Sequence, residues 1–148
     1  MKRLLVVYHS LTGAAEQLAQ AAVDAGSAQP DDEIEIVRLR AHEATAEDVL
    51  SADGYLFVTP ENLATMAGLM KDFFDRIYYP TLDRLNGRPY AVIVAAGTDG
   101  SGAARQLERI ATGLRLKAIA PPLIVRNGAQ TPAQILAPRA GRPQPEGL

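Results

Sequence analysis

Val6-Val7-Tyr8-His9-Ser10-Leu11-Thr12-Gly13-Ala14-Ala15 decides how this chain is read. An apolar run stops at small hydroxyl residues and a glycine, and a helical pattern begins at once. The order is strand, tight loop, helix N-terminus. Such a junction offers unpaired backbone N–H groups, two hydroxyls and the positive end of a helix dipole to an anion such as phosphate. The loop holds no Lys or Arg, so its donors are neutral. It lacks the Gly-Lys-Ser/Thr ending of a nucleoside-triphosphate loop. With one glycine it is not a dinucleotide fingerprint. The plain alternative is an ordinary helix start with Ser or Thr as N-cap.

Working outward, residues 4–8 read as a strand buried on both faces. Ala15, Leu18, Ala19, Ala22 and Val23 recur at helical spacing, and Gly26 and Pro30 end that helix. Ile34, Ile36 and Leu39, among acids and arginines, predict an edge strand. Residues 45–52 read as one short helix. Residues 55–58 form a third strand, stopped by Pro60. Met66, Leu69, Met70, Phe73, Phe74 and Ile77 form an amphipathic helix. A strand over 90–96, a loop over 97–102 and a helical stripe of Ala104, Leu107, Ile110, Ala111 and Leu114 follow. Residues 116–125 supply a fifth strand, interrupted by Pro121-Pro122. Strands alternating with helices predict a parallel sheet with helices on both faces. Ligands of such sheets sit at the carboxyl ends of the strands, where the loops 10–15, 59–65 and 97–102 converge.

Composition sets limits. The chain has 148 residues, the span of one domain, and 47% are hydrophobic, enough for a core without cross-links. It has no cysteine, so no disulfide, thiolate metal site or cysteine nucleophile. A formal charge of −2 makes no electrostatic case for nucleic acid. No apolar run approaches the roughly 20 residues of a membrane span. Only a handful of apolar residues precede His9, too few for a secretory signal, so a cytoplasmic protein is expected. No metal site and no side chain acting as catalyst are expected. The acids Asp31-Asp32-Glu33 read as a solvated turn, His42 as a polar connection, and His9 as a packing residue without an acid partner.

Ser10-Leu11-Thr12-Gly13-Ala14-Ala15 resembles the FMN phosphate loop of the flavodoxin-like superfamily, Ser/Thr-x-Thr-Gly-x-Thr, at all but the last position. The segment Thr59-Pro60-Glu61-Asn62-Leu63, followed by Met66-Ala67-Gly68 and Lys71-Asp72-Phe73-Phe74-Asp75-Arg76, is similar to the NAD(P)H-dependent FMN reductase branch. Thr98-Asp99-Gly100-Ser101-Gly102 matches its third, glycine-rich loop. The resemblance runs from Arg3 to Val125, and three loops in order are more specific than any one. It implies a three-layer, doubly wound, five-stranded parallel sheet of order 2-1-3-4-5. It also implies FMN as cofactor, NAD(P)H as co-substrate, and a quinone or similar small molecule as electron acceptor. Ser10, Leu11, Thr12, Gly13, Ala14 and the Ala15 amide would hold the phosphate. Thr59, Pro60, Glu61, Asn62 and Leu63 would frame the ring. Gly97, Thr98, Asp99 and Gly100 would reach its pyrimidine edge through backbone groups. The alternatives are a flavodoxin-type electron carrier and a non-enzymatic domain that has lost FMN.

Each element also has a plainer reading. Pro60 ends a strand, Asp99-Gly100 makes a turn, and the Met and Phe residues of the helix near Met66 fill a core. The departures from the family pattern are as informative. Ala15 replaces the last loop hydroxyl. Neither ring-facing loop carries Trp, Tyr or Phe, so the ring would rest on Pro60, Leu63 and Met66 with one face open. Pro138, Pro143 and Pro145 forbid a regular final helix, leaving it short or missing. The expected domain is 1–137, with a flexible Pro-rich tail over 138–148. One face of the sheet then has a single helix, which predicts a homo-oligomer, most simply a two-fold dimer meeting there or at Tyr78 and Tyr79.

Overall fold

Residues 2–27 and 34–126 are described by a computed structural model of the chain. The elements in order are β1 (Lys2–Tyr8), α1 (Ala14–Ser27), β2 (Ile34–Arg40), α2 (Ala46–Ser51), β3 (Gly54–Asn62), β4 (Thr65–Met66), α3 (Gly68–Thr81), β5 (Pro89–Ala96), α4 (Ser101–Gly113), β6 (Lys117–Ala118) and β7 (Leu123–Arg126). The sheet runs β2-β1-β3-β5, and β6 and β7 both pair in parallel with β5 as two pieces of one outer strand. That is the expected 2-1-3-4-5 order, with Pro121-Pro122 in the break. The final helix, the 138–148 tail, Pro30 and the acids 31–33 lie outside the described residues.

Period-two alternation sorts the strand side chains between two cores. Leu5, Val7, Tyr55, Phe57, Tyr90, Val92 and Val94 face the cluster that contains Val49 of α2, Phe73 and Phe74 of α3 and Leu107 of α4. Val6, Tyr8, Val58 and Ile93 face the other way, against Ala15, Leu18 and Ala19 of α1. The aromatic load is therefore one-sided. The Phe57 ring contacts Phe74 edge-on at 5.1 Å and lies 6.2 Å from Tyr90. On the α1 face Tyr8 is the one aromatic of the buried cluster among the described residues. Among the described residues strand β2 pairs only with β1, and its exposed start carries Glu35 in an ion pair with Arg3 at 3.3 Å.

Local chemistry fixes the short elements. Thr45 and Asp48 form a reciprocal capping box that starts α2. Arg88 donates to Leu50 O at 2.9 Å and Ala52 O at 2.7 Å, satisfying its last carbonyls. Arg76 of α3 donates to Ala41 O at 2.7 Å and Ala44 O at 2.8 Å, which binds the helix to the β2–α2 connection. Lys71–Asp75 and Asp72–Arg76 pair one turn apart along the same helix. The charges of the Lys-x-Phe-x-Asp-Arg segment thus serve helix and packing.

Four local expectations are corrected. Pro60 does not stop β3: it pairs in register with Ala95 and the strand continues to Asn62. The β1–β3 ladder ends at Val58, so at Pro60 the strand has only one parallel neighbour, where a missing N–H is tolerated. Met66 does not open the helix; it lies in β4, buried, and α3 begins at Gly68. Leu69, expected on the buried stripe, is 43% exposed. Gly102 lies inside α4, not in the loop before it.

Phe57 is the side chain on which the three-helix core converges. Phe57→Ala should lower stability by about 3–5 kcal/mol, measured by denaturant unfolding followed by circular dichroism. A loss below about 1 kcal/mol would show that this core is not the main one.

Candidate functional site

The chain leaves β1 at Tyr8, and His9 N extends the β1–β3 pairing by donating to Val58 O at 3.1 Å. Ser10 Oγ then accepts from Gly13 N at 2.9 Å, which closes the loop. Gly13 has φ +100, a conformation that suits glycine, and its carbonyl accepts the first α1 bond from Gln17 N at 3.0 Å. Leu11, Thr12 and Ala14 are exposed. The amides of Leu11, Thr12, Ala14, Ala15 and Glu16 have no acceptor among the described residues. This is an anion cradle of neutral donors at a helix N-terminus, and it suits a phosphate monoester. The Ala15 side chain is buried at 1% exposure against the sheet, so a small residue there has a packing reason.

Two arginines of the edge strand approach this end of β1, a feature the loop sequence does not announce. Arg38 and Arg40 each stand 5.2 Å from the Tyr8 ring centre, and Arg40 pairs with Glu16 in the first turn of α1 at 3.2 Å. Burial holds the His9 imidazole below its usual range, with repulsion from Arg40 and His42 in the same direction.

The second loop is a β-hairpin. Glu61 pairs with Met66 and Asn62 with Thr65, antiparallel, around a two-residue turn. Leu63 and Ala64 both have positive φ, 53° and 68°. That is the backbone of a tight hairpin turn, usually built from Asn-Gly. With side chains in those places it is strained by about 1–2 kcal/mol per residue. Leu63 is 99% exposed at the tip. Thr59 is fully buried: its hydroxyl donates to Pro60 O at 2.9 Å and accepts from Ala67 N at 3.1 Å. Its side chain therefore joins the end of β3 to the start of α3. Met66, expected under the ring, belongs to the core. Pro60 and Glu61 are half-buried and Asn62 is exposed.

The third loop exposes Gly97, Thr98 and Asp99 and buries Gly100. Asp99 accepts from Ser101 Oγ at 2.8 Å and Ser101 N at 3.3 Å, and these bonds hold its carboxyl below the ordinary range. Arg126 at the end of β7 donates to Asp99 O at 3.0 Å. The second and third loops are joined. Glu61 accepts from Gly100 N at 2.9 Å and from Ala103 N at 3.1 Å, and Gln106 Oε1 accepts from Met66 N at 3.0 Å. A Cβ on Gly102 would meet Ala64 O, so glycine permits the hairpin to lie on α4. Gln106, Arg38 and Arg40 are residues at this end that sequence reasoning missed, and none of them carried a local signal. Gly102 was read as part of the glycine-rich loop, and its role is close backbone approach.

All fifteen expected site residues thus belong to three segments at the carboxyl ends of β1, β3 and β5, on either side of the β1–β3 switch point. The cradle fits the phosphate of FMN. The exposed Leu63 tip and the exposed residues 97–99 carry no aromatic side chain. A shallow cavity of about 220 Å³ lies elsewhere, between α3 and α4, lined by Lys71, Phe74, Asp75, Tyr78, Tyr79 and Ile110.

The sheet order, with its loops at one end, is that of the flavodoxin fold. A flavodoxin from Streptococcus pneumoniae superposes with a TM-score of 0.74 at 20% identity, over 90% of this chain and 94% of that one. A flavodoxin mutant from Pseudomonas aeruginosa gives 0.73 at 18% identity, over 86% of each chain. The sequence pattern of the NADPH-dependent FMN reductase family matches residues 3–130, and the chain belongs to that family, whose cofactor is FMN. An NAD(P)H dehydrogenase (quinone) from Acidithiobacillus ferrooxidans is 31% identical over 121 residues, covering 69% of this chain and 60% of the relative. A flavodoxin from Aquifex aeolicus is 28% identical over 102 residues, covering 69% of this chain and 54% of its own. The chain thus spans little more than half the length of these curated relatives. Among the described residues no helix is long and apolar enough to cross a membrane.

Two glycines of the site separate backbone strain from crowding. A Cβ at Gly13 would meet nothing within 4 Å, whereas one at Gly100, φ +88, would run into Ile124 and lie 3.1 Å from the Ala96 Cβ. Gly13→Ala should cost about 1–2 kcal/mol from backbone conformation alone, and Gly100→Ala a further ~1–3 kcal/mol from overpacking. Urea unfolding of both variants checks the order; equal losses would contradict the packing of Gly100 under Ile124.

Proposed function

We propose that this chain is an FMN-binding oxidoreductase that draws electrons from NAD(P)H and delivers them to a quinone or similar small acceptor. The observation that carries this reading is the cradle of unpaired amides at the start of α1, facing the hairpin and the glycine-rich loop across the switch point. Family membership supports the cofactor, and the quinone-acting relative supports a small acceptor. Bound FMN supplies the hydride and electron chemistry. The chain binds and orients. Ser10, Thr12 and the amides of Leu11, Ala14 and Ala15 hold the phosphate, with Gly13 shaping the loop. Pro60, Asn62 and Leu63 border the ring on one side, and Gly97, Thr98, Asp99 and Gly100 on the other. With no aromatic side chain in either ring loop, one ring face stays open to a second substrate. Cytoplasmic operation suits a cysteine-free chain that uses NAD(P)H.

Titrating the protein with FMN and following flavin fluorescence tests this. Quenching at micromolar concentration is expected, and Thr12→Val should weaken FMN by about 1.5–3 kcal/mol while leaving riboflavin nearly unchanged. Equal losses for both ligands would show that the loop does not read the phosphate. Loaded protein should oxidise NADH or NADPH with a small quinone present. FMN binding without that turnover would favour the electron-carrier reading, and absence of binding by folded protein the cofactor-free one.

A second copy of the chain is the partner we propose for the outer face of α3. Tyr79 is 81% exposed beside Tyr78, and Leu69 is exposed on the same helix. Light scattering at low micromolar concentration should give twice the monomer mass, and Tyr79→Ser should shift it toward the monomer. A folded wild-type monomer would overturn the dimer.

A further inference from the structure

Among the described residues Glu61 is the acid that bridges the second and third loops. Its two carboxylate oxygens accept from Gly100 N and Ala103 N, at 2.9 and 3.1 Å, at the start of the 13-residue α4. No side chain of α4's own cap residue does this work, because that residue is Gly100. The acid comes instead from β3, 39 and 42 residues earlier in the chain. The helix N-terminus is the strongest positive dipole end beside the glycine-rich loop. Left open, it would stabilise negative charge arriving nearby. Here that position is taken by an acid of the chain itself through two charge-assisted bonds. The contact is backed by Gln106 on Met66 N and by Gly102 beneath Ala64 O, so the hairpin and α4 form one unit.

We infer that Glu61 is a positioning residue that acts through α4: it locks the ring-side hairpin to the glycine-rich loop and neutralises the helix end that would otherwise stabilise reduced flavin. The inference rests on the FMN reading above. Reduced FMN carries more negative charge on its ring than oxidised FMN. Neutralising the nearby dipole end, with a full negative charge left beside it, therefore disfavours the reduced form. The bound flavin is kept a stronger reductant, which suits delivery of electrons to an acceptor.

The test compares wild type with Glu61→Gln, which keeps an acceptor for one amide and removes the charge. In flavin-free protein, hydrogen exchange at Gly100 and Ala103 should rise at least tenfold in the variant. Dissociation constants for oxidised and reduced FMN, measured anaerobically, give the second readout. Their ratio should shift about tenfold toward tighter binding of the reduced form, which for a two-electron couple is about 30 mV more positive. A purely structural role would weaken both forms alike and leave the potential unmoved, and that result overturns the electrostatic part of the inference. Unchanged exchange at both amides overturns the whole of it. Wild-type protein with protected amides but no FMN binding would instead overturn the FMN reading, and the inference with it.

Discussion

The pairing of β1 with β3 is the constraint on which the molecule is built. Leu4 lies opposite Gly54 and Tyr8 opposite Val58, in parallel, and both strands are covered on both faces. A parallel pair cannot be closed by a tight turn, so the chain must leave the sheet and return between the two strands. It does so through α1, the edge strand β2 and α2. Because the chain leaves β1 for α1 on one face and leaves β3 for α3 on the other, the loops that follow the two strands part and leave a crevice. The loops proposed for the ligand lie at that end of the sheet.

The two cores divide the labour. The three-helix side takes Tyr55, Phe57, Phe73, Phe74 and Tyr90 and supplies most of the apolar burial. The α1 side takes Val6, Tyr8, Val58 and Ile93 against Ala15, Leu18 and Ala19. Ala15, which breaks the hydroxyl pattern of the loop before α1, is buried in that contact.

The strand–helix alternation was legible because β1, β5 and the first half of β3 are apolar runs and α1, α3 and α4 carry 3.6-residue stripes. The loop before α1 was legible as a tight turn because its geometry is local: Ser10 and Gly13 bond to each other within four residues, and Gly13 takes positive φ. The hairpin was not. Asn62-Leu63-Ala64-Thr65 lacks the Asn-Gly signal, and the turn is held from outside by α4 rather than by its own preference. Pro60 misled for a related reason, since its usual meaning depends on how many neighbours the strand has at that point. The position of Glu61 on the α4 amides was unreadable because those partners lie about forty residues away in sequence. Local rules found what local residues build, and tertiary contacts decided the rest.

The hairpin is anchored at its base and buries nothing at its tip. Leu63 touches no part of the core, so exchanging it leaves the packing of the domain almost untouched. Packing and tip chemistry therefore sit in different residues of one loop, and the side chain at the tip can change while the core behind it stays as it is.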